Sequence, residues 1–110
     1  MAFDEGLAER VRHALGTRPS VSERKMFGGL CFMVGGNMCL GIVGDDLMVR
    51  VGPEGWKDAL ARPHAREMDF TGKSMRGMVY VAPEGFSEDN DLQKWLDLGL
   101  DYASSLPSKR

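Results

Sequence analysis

The sequence is poor in the residues that build metal centres. Its 110 residues include only two cysteines, Cys31 and Cys39, and two histidines, His13 and His64. A structural zinc site needs about four Cys or His ligands, usually at short characteristic spacings. These four residues show none of those spacings, and each histidine is more typical of a solvated surface residue. We therefore expect no metal centre and no cofactor.

Long apolar runs and an excess of positive charge are missing as well. No run approaches the ~20 apolar residues that a membrane-spanning helix needs. The first residues, MAFDE, lack the basic-then-apolar order of a secretory signal. The net charge is −2, whereas non-specific nucleic-acid binders usually carry a clear basic excess. We therefore expect a cytoplasmic protein without a membrane contact, and we rank nucleic acid below protein as a partner.

An ordinary globular composition remains once these classes are set aside. Apolar residues make up 43% of the sequence and charged residues 27%, close to the average of globular domains. A chain of this length fits one domain of usual size and can bury a real core. We therefore expect a single domain over residues 1–110.

Apolar periodicity predicts helices at both ends of the chain and strands between them. Every fourth residue from Phe3 to Leu15 is apolar, which predicts a helix over about 4–15. The further elements are predicted strands over 22–27, 30–34, 37–43 and 47–51, a short helix from 52, strands over 66–70 and 77–81, and a helix over 89–106. The predicted fold class is α+β, a mainly antiparallel sheet of about six strands flanked by three helices, in the order α-β-β-β-β-α-β-β-α.

Glycines mark the turn between the second and third strands. Gly35-Gly36 predicts a two-residue hairpin turn, because glycine accepts the positive φ that such turns need. That turn pairs Phe32 with Cys39, so Cys31 and Cys39 point to opposite faces and cannot share a disulfide or a zinc ion. A three-residue turn would place them on one face, so the conclusion depends on the register.

The central strands are apolar on both faces. The alternating side chains are Leu30, Phe32 and Val34 on one face, and Cys31, Met33, Met38 and Leu40 on the other. Either the three helices cover both faces, or the second face is buried against another copy or a partner. Flexible methionine side chains suit an adaptable binding surface, and they fill ordinary cores equally well.

Motifs for catalysis are missing from the sequence. Gly72-Lys73-Ser74 matches the end of a phosphate-binding loop, but that loop needs another glycine five residues before Gly72, where Glu67 stands. No nucleophile-elbow pattern occurs either. We therefore expect that the protein is not an enzyme.

Five basic residues are the more informative polar positions: Arg24, Lys25, Arg50, Lys73 and Arg76. Arg50 interrupts an apolar strand, and a cation on an apolar face needs a carboxylate, solvent or a ligand beside it. Two interpretations stay open for Arg50. One is a solvated edge or an intramolecular pair, and the other is an anion-binding role.

Parts of the sequence resemble a known family. Three runs resemble the signature of the TfoX/Sxy family N-terminal domain: 24–34 (RKMFGGLCFMV), 36–38 with Gly41, and 75–81. The resemblance implies an α+β fold, a regulatory role like that of competence regulators, and no established catalytic residues. Full-length regulators of that family carry a second, helical domain. Because the chain ends at Arg110, we expect a stand-alone domain without it.

We therefore expect a non-catalytic regulatory or adaptor domain that binds an unidentified protein partner, with a homodimer through the second sheet face as one form. The predicted partner-binding residues are Arg24, Lys25, Met26, Phe27, Gly28, Gly29, Arg50, Lys73 and Arg76. The glycine pair is also typical of a folding device that bends the chain after the first strand. Two alternatives stay open: a nucleic-acid-associated transcriptional regulator that uses the five basic residues, and a small-molecule-binding protein or small enzyme.

Overall fold

The described part of the chain forms an open antiparallel sheet of six strands with three helices. The computed structural model describes residues 3–16, 21–26, 28–70 and 73–107, without the side chains of residues 26, 68–70 and 73–76. The elements are the helices α1 (Glu5–Leu15), α2 (Gly52–Leu60) and α3 (Asp89–Ser105), and the strands β1 (Val21–Met26), β2 (Gly29–Val34), β3 (Asn37–Val43), β4 (Asp46–Arg50), β5 (Ala65–Phe70) and β6 (Lys73–Val81). The strand order is β1-β2-β3-β4-β6-β5. The predicted fold class and element order are confirmed.

Helix α1 begins and ends where its sequence predicts. The Asp4 carboxylate accepts hydrogen bonds from the backbone N–H groups of Gly6 and Leu7, at 2.9 and 3.3 Å. These bonds satisfy two donors that a first helical turn leaves without a partner. Gly16 ends the helix with a φ of 70°, which glycine adopts without strain. The predicted apolar face is confirmed, since Leu7, Val11 and Leu15 are buried.

All three described helices pack on one face of the sheet. Helix α3 packs on β2, β3 and β4, α2 packs on β5 and β6, and α1 packs against α3. Together with the sheet they enclose a large apolar cluster that includes Phe32, Val49 and Leu96. Helix α3 lies so close to β3 that a side chain on Gly99 would approach the Cys39 carbonyl oxygen to 2.9 Å. No helix among the described residues has the length and apolar character needed to cross a membrane.

Strand β3 contains a bulge that the sequence did not predict. The two pairs next to the Gly35-Gly36 turn, Val34 with Asn37 and Met33 with Met38, have the predicted register. The next pair is Phe32 with Leu40, so Cys39 is an extra residue that opposes no residue of β2. The predicted pairing of Phe32 with Cys39 is therefore wrong.

The bulge also changes which face one side chain occupies. Leu40 was predicted on the face of Cys31, and this is wrong, because Leu40 and the bulged Cys39 both join the helix-covered cluster. Cys31 belongs to a separate cluster on the other side of the sheet. The prediction that Cys31 and Cys39 lie on opposite faces is confirmed, and neither forms a disulfide.

The other side of the sheet, here called the helix-free face, has a small core of its own. Its buried members are Cys31, Met33, Met48 and Met78, and partly buried around them are Met38, Val43 and Tyr80. A side chain on Gly41 would lie 2.6 Å from Met48 Cε and 3.1 Å from Cys31 Sγ, so these two side chains fill the space that the glycine leaves. None of the described helices supplies a residue to this cluster. Its sulfur side chains are nevertheless buried within a single chain.

Candidate functional site

One continuous row of residues crosses the whole helix-free face. Backbone pairing joins its members from strand to strand in the order Arg24, Cys31, Gly41, Met48, Tyr80 and Arg66. Residues paired directly across antiparallel strands place their side chains on the same face. The row therefore has an apolar centre rich in sulfur and one arginine on each edge strand, β1 and β5.

The Arg66 end of the row is occupied by contacts within the chain. The Arg66 guanidinium lies 2.7 Å from the Asp46 carboxylate. It also lies over the Tyr80 ring, 4.9 Å from the ring centroid. Arg66 thus has both an acidic partner and an aromatic surface, and this end of the row offers little charge to a ligand.

Arg50 has partners within the chain as well. Its guanidinium lies 5.3 Å from the centroid of the Tyr102 ring, and its Nη1 donates a long hydrogen bond of 3.5 Å to the Met38 carbonyl oxygen. These contacts favour the intramolecular interpretation of Arg50, with an aromatic ring in the place of a carboxylate. Strands β2 and β3 separate β4, which carries Arg50, from β1, which carries Arg24. The two arginines therefore do not form one basic patch.

The Arg24 end differs from the other two arginine positions. Arg24 and Lys25 are adjacent on the edge strand β1, and both are exposed. Arg24 pairs with Cys31 and lies on the helix-free face, whereas Lys25 pairs with Leu30 and lies on the helix side. No carboxylate of the described residues forms an ion pair with either side chain. Two cations thus project from the two sides of one sheet edge, here called the basic edge.

The acidic residue of the same strand is already neutralised. Glu23 accepts two hydrogen bonds of 2.9 Å from the Arg12 guanidinium, one on each carboxylate oxygen. This contact lowers the pKa of Glu23 and raises that of Arg12, so both groups stay charged at neutral pH. It also ties β1 to α1. The charge that β1 presents to a partner is therefore that of Arg24 and Lys25.

The glycine pair after β1 has a structural reason of its own. Gly28 has a φ of 74°, a left-handed conformation that residues with a Cβ adopt at a cost. A side chain on Gly29 would collide with the carbonyl oxygen of Ile42 in β3. Both glycines are thus needed for the tight turn and the close approach of strands, as expected for a folding device. They also fix the geometry of the basic edge.

Several predicted site residues cannot be placed in the same detail. Phe27 lies outside the described residues, as do the side chains of Met26, Lys73 and Arg76. The backbone of Lys73 and Arg76 belongs to β6. Of the nine predicted partner-binding residues, the structure thus brings Arg24, Lys25, Gly28 and Gly29 together at one end of the sheet and sets Arg50 apart.

The described cysteines and histidines do not form a catalytic group. Burial raises the pKa of the Cys31 thiol to about 11, so the thiol is protonated at neutral pH and is a poor nucleophile. His13 lies on α1 and His64 in the loop before β5, away from the helix-free face. Within the described ranges, no three His, Cys, Asp or Glu side chains are grouped so that they could hold a metal ion.

His64 lines a surface groove of about 350 Å³. In the groove Arg62 lies over the buried Trp95 ring, 5.5 Å from its centroid. The other charged lining residues are of both signs: Glu84, Asp91 and Lys94. His64 has a φ of 68°, a conformation that histidine tolerates better than most residues in a turn. The mixed charges of the lining favour neither an anion nor a cation.

Comparison with models of protein families gives a match for the chain. Residues 13–103 match the model of the TfoX N-terminal domain. The chain belongs to the TfoX N-terminal domain family. The match covers the whole sheet and α2, together with the basic edge and the Gly28-Gly29 pair that follows it. It confirms the resemblance read from the sequence. No curated protein and no solved structure matched.

The sequence did not indicate the contacts of Arg66 at its end of the row. The contact with Tyr80 depends on the register of β5 with β6, which shifts between Glu67 and Asp69. The contact with Asp46 depends on the order β4-β6-β5, and local periodicity does not give the order of distant strands. Alternation of Arg66, Glu67 and Met68 was consistent with a two-faced strand. It could have placed Arg66 on one face, but not beside Tyr80.

Proposed function

We propose that residues 1–110 act as one cytoplasmic domain, a non-catalytic regulatory or adaptor module that binds a partner protein through the basic edge and the glycine turn after it. Membership of the TfoX N-terminal domain family supports a role like that of the N-terminal domain of competence regulators. The partner itself is not specified by the family.

The observation that carries this proposal is the exposure and charge of the β1 side chains. Four consecutive residues of this strand are exposed: Ser22, Glu23, Arg24 and Lys25. The carboxylate among them is held by Arg12, whereas the two cations have no ion pair with a described carboxylate. Exposed cations on a rigid sheet, held in place by a glycine turn and by a tie to α1, are well suited to steer and orient a partner.

The chemistry of the described residues supports a binding role. The buried thiol of Cys31 holds its proton, and its neighbours Met33, Met48 and Met78 are apolar packing groups. The side chains that could act as bases, His13 and His64, are exposed and lie on separate elements. Catalysis by a nucleophile needs its base within hydrogen-bond reach, and these residues do not offer that arrangement.

Affinity capture tests the proposal. The tagged wild-type chain, the double variant Arg24→Glu/Lys25→Glu, and the control Lys57→Glu/Lys94→Glu are incubated with lysate of the source organism, and bound proteins are identified by mass spectrometry. The control makes the same change of charge at exposed helix positions. We expect a protein that the wild type and the control retain and the β1 variant loses.

Two results would contradict the proposal. One is a wild-type chain that retains no protein above background, and the other is equal retention by all three chains. The thermal unfolding midpoints of the three chains should agree closely, because substitutions at exposed positions usually change stability by less than about 0.5 kcal/mol. Similar midpoints show that a loss of binding reports on contact and not on folding.

A further inference from the structure

We infer that β1 accepts an additional strand from its partner, and that the segment supplying this strand is extended and carries two adjacent acidic residues. The inference rests on the proposed function and specifies the partner of the same surface. It combines three features of β1: its place at the edge of the sheet, its regular backbone, and its two exposed cations.

The backbone of β1 is regular along its whole length. It pairs with β2 at six consecutive positions, from Val21 with Val34 to Met26 with Gly29, without a register shift. Its place at the end of the strand order means that no described strand pairs with its outer side. The outward N–H and C=O groups of a regular edge strand are a template for one more strand.

The opposite edge of the sheet is built differently. The pairing of β5 with β6 shifts register between Glu67 and Asp69, where β6 carries the additional residues, so β5 is a less regular template for another strand than β1. Its arginine, Arg66, is occupied by Asp46 and Tyr80. Of the two edges, β1 is therefore the one prepared for a partner strand.

The charges of β1 specify what the added strand should carry. Residues directly opposite in an antiparallel pair have Cβ atoms about 4.5–5.5 Å apart, and pairs of opposite charge stabilise the contact. Arg24 and Lys25 are adjacent and lie on opposite faces, so one acidic residue is needed opposite each of them, at adjacent positions of the partner. Val21 packs against the helix-side cluster, so the partner residue opposite Val21 should be apolar. That residue lies three positions from the acid that is opposite Arg24.

A second copy of this chain fits the same edge less well. Two copies could pair their β1 strands so that the strands overlap almost fully and the helix-free faces of both sheets lie on the same side. Two neighbouring registers meet this condition. In one of them Glu23 is opposite Glu23, and in the other Arg24 is opposite Arg24. The second register also sets Glu23 opposite Lys25, but this carboxylate is already held by Arg12. Like charges directly opposite destabilise strand pairing. Charge complementarity therefore favours an acidic segment of another protein.

The inference can be tested by selecting binders from a displayed library of random linear peptides. The peptides are short but long enough to pair along β1. We expect enrichment of peptides with two adjacent Asp or Glu residues and an apolar residue three positions away. The affinity of a selected synthetic peptide should fall about tenfold or more in Arg24→Glu/Lys25→Glu and stay unchanged in Lys57→Glu/Lys94→Glu. Added salt should weaken the binding to the wild type.

Amide hydrogen exchange locates the bound peptide. We expect residues 21–26 to gain protection when the peptide is added, because outward N–H groups of β1 then donate to the new strand. The amides of β5 serve as the internal control and should not change. Protection that is confined to a helix groove or to β5, or enrichment of peptides with helical apolar spacing, would overturn the inference.

The outcomes separate the inference from the proposed function. If no acidic peptide is enriched while the wild-type chain still captures a protein that the β1 variant loses, β1 binds its partner in some other way, and only the inference fails. If capture and selection both yield nothing, both proposals fail. If acidic peptides bind and protect β1, the partner class is established.

Discussion

At Gly29 the backbone of β2 passes so close to β3 that no side chain fits between them. The atom that a Cβ would meet is the carbonyl oxygen of Ile42, which is part of the sheet and cannot rotate away. We expect Gly29→Ala to lower the free energy of unfolding by about 2–3 kcal/mol, as overpacked substitutions do. Urea denaturation measures the loss.

Gly55→Ala is the matched control for this substitution. Gly55 lies in α2, where a Cβ would meet no atom within 4 Å. Alanine has the higher helix propensity, so the free energy of unfolding should stay the same or rise by up to about 1 kcal/mol. Equal effects of the two substitutions would show that the strands at Gly29 can separate without cost.

Because of Cys31, we expect the free energy of unfolding to fall at alkaline pH. Burial raises the pKa of this thiol from 9.0 to about 11, so the folded state holds the proton more tightly than the unfolded chain. Its contribution to stability is complete below about pH 9 and falls as the pH rises towards 11, by about 2–3 kcal/mol at full ionisation. Urea denaturation between pH 8 and pH 11, in reducing buffer, measures the slope.

The variant Cys31→Ala should lose this part of the alkaline slope, whatever its stability at neutral pH. The control Cys39→Ala removes the other buried cysteine, on the opposite face, and keeps Cys31. Identical slopes for the wild type and Cys31→Ala would mean that water or a rearrangement reaches the thiolate on the helix-free face.

At the scale of elements, the pair of Arg12 and Glu23 joins α1 to the edge strand. Both side chains are partly exposed, so Glu23→Gln should cost less than about 1 kcal/mol at neutral pH. The pKa of Glu23 is lowered from 4.5 by Arg12. The contribution of the pair is therefore present above about pH 4.5 and is lost as the pH falls through the folded-state pKa of Glu23.

A second carboxylate on the same arginine provides the control. Glu9 contacts Arg12 at 2.6 Å within α1, so Glu9→Gln removes a charge without releasing β1. Amide exchange in β1 should become faster in Glu23→Gln at pH 7 and stay unchanged in Glu9→Gln. A similar change in both variants would assign the effect to α1 and not to the link with the strand.

The elements themselves could be predicted from the sequence, and their arrangement only in part. Strand periodicity and the Gly35-Gly36 turn located β2 and β3 and the two pairs next to that turn, Val34 with Asn37 and Met33 with Met38. The bulge could not be predicted, because Cys39 and Leu40 are both apolar and either suits the helix-covered core. The insertion of β6 between β4 and β5 depends on contacts between distant segments, which alternation does not encode.

The candidate site was predicted with similar limits. Arg24 and Lys25 stood out as charges before a glycine pair, and the structure leaves both exposed on an edge strand. Their distinction from Arg50 could not be predicted, since it depends on Tyr102, which the fold brings from α3 to the end of β4. Composition likewise could not show that Glu23 is held by Arg12.

At the scale of the whole molecule, the basic residues are dispersed. Arg50 and Arg66 have partners within the chain, and α3 carries four exposed or half-exposed acids: Asp89, Asp91, Asp97 and Asp101. We therefore expect no shift of duplex DNA in a gel assay at low salt. Binding that weakens steeply with salt, and that Arg24→Glu/Lys25→Glu abolishes, would favour the transcriptional regulator instead.

Every buried methionine of the described residues lies on the helix-free face. A thioether that takes up oxygen becomes a polar sulfoxide, and it no longer suits an apolar interior. Peroxide damage should thus be one-sided: the layer beneath the helices would keep its packing, while the opposite layer would loosen and swell.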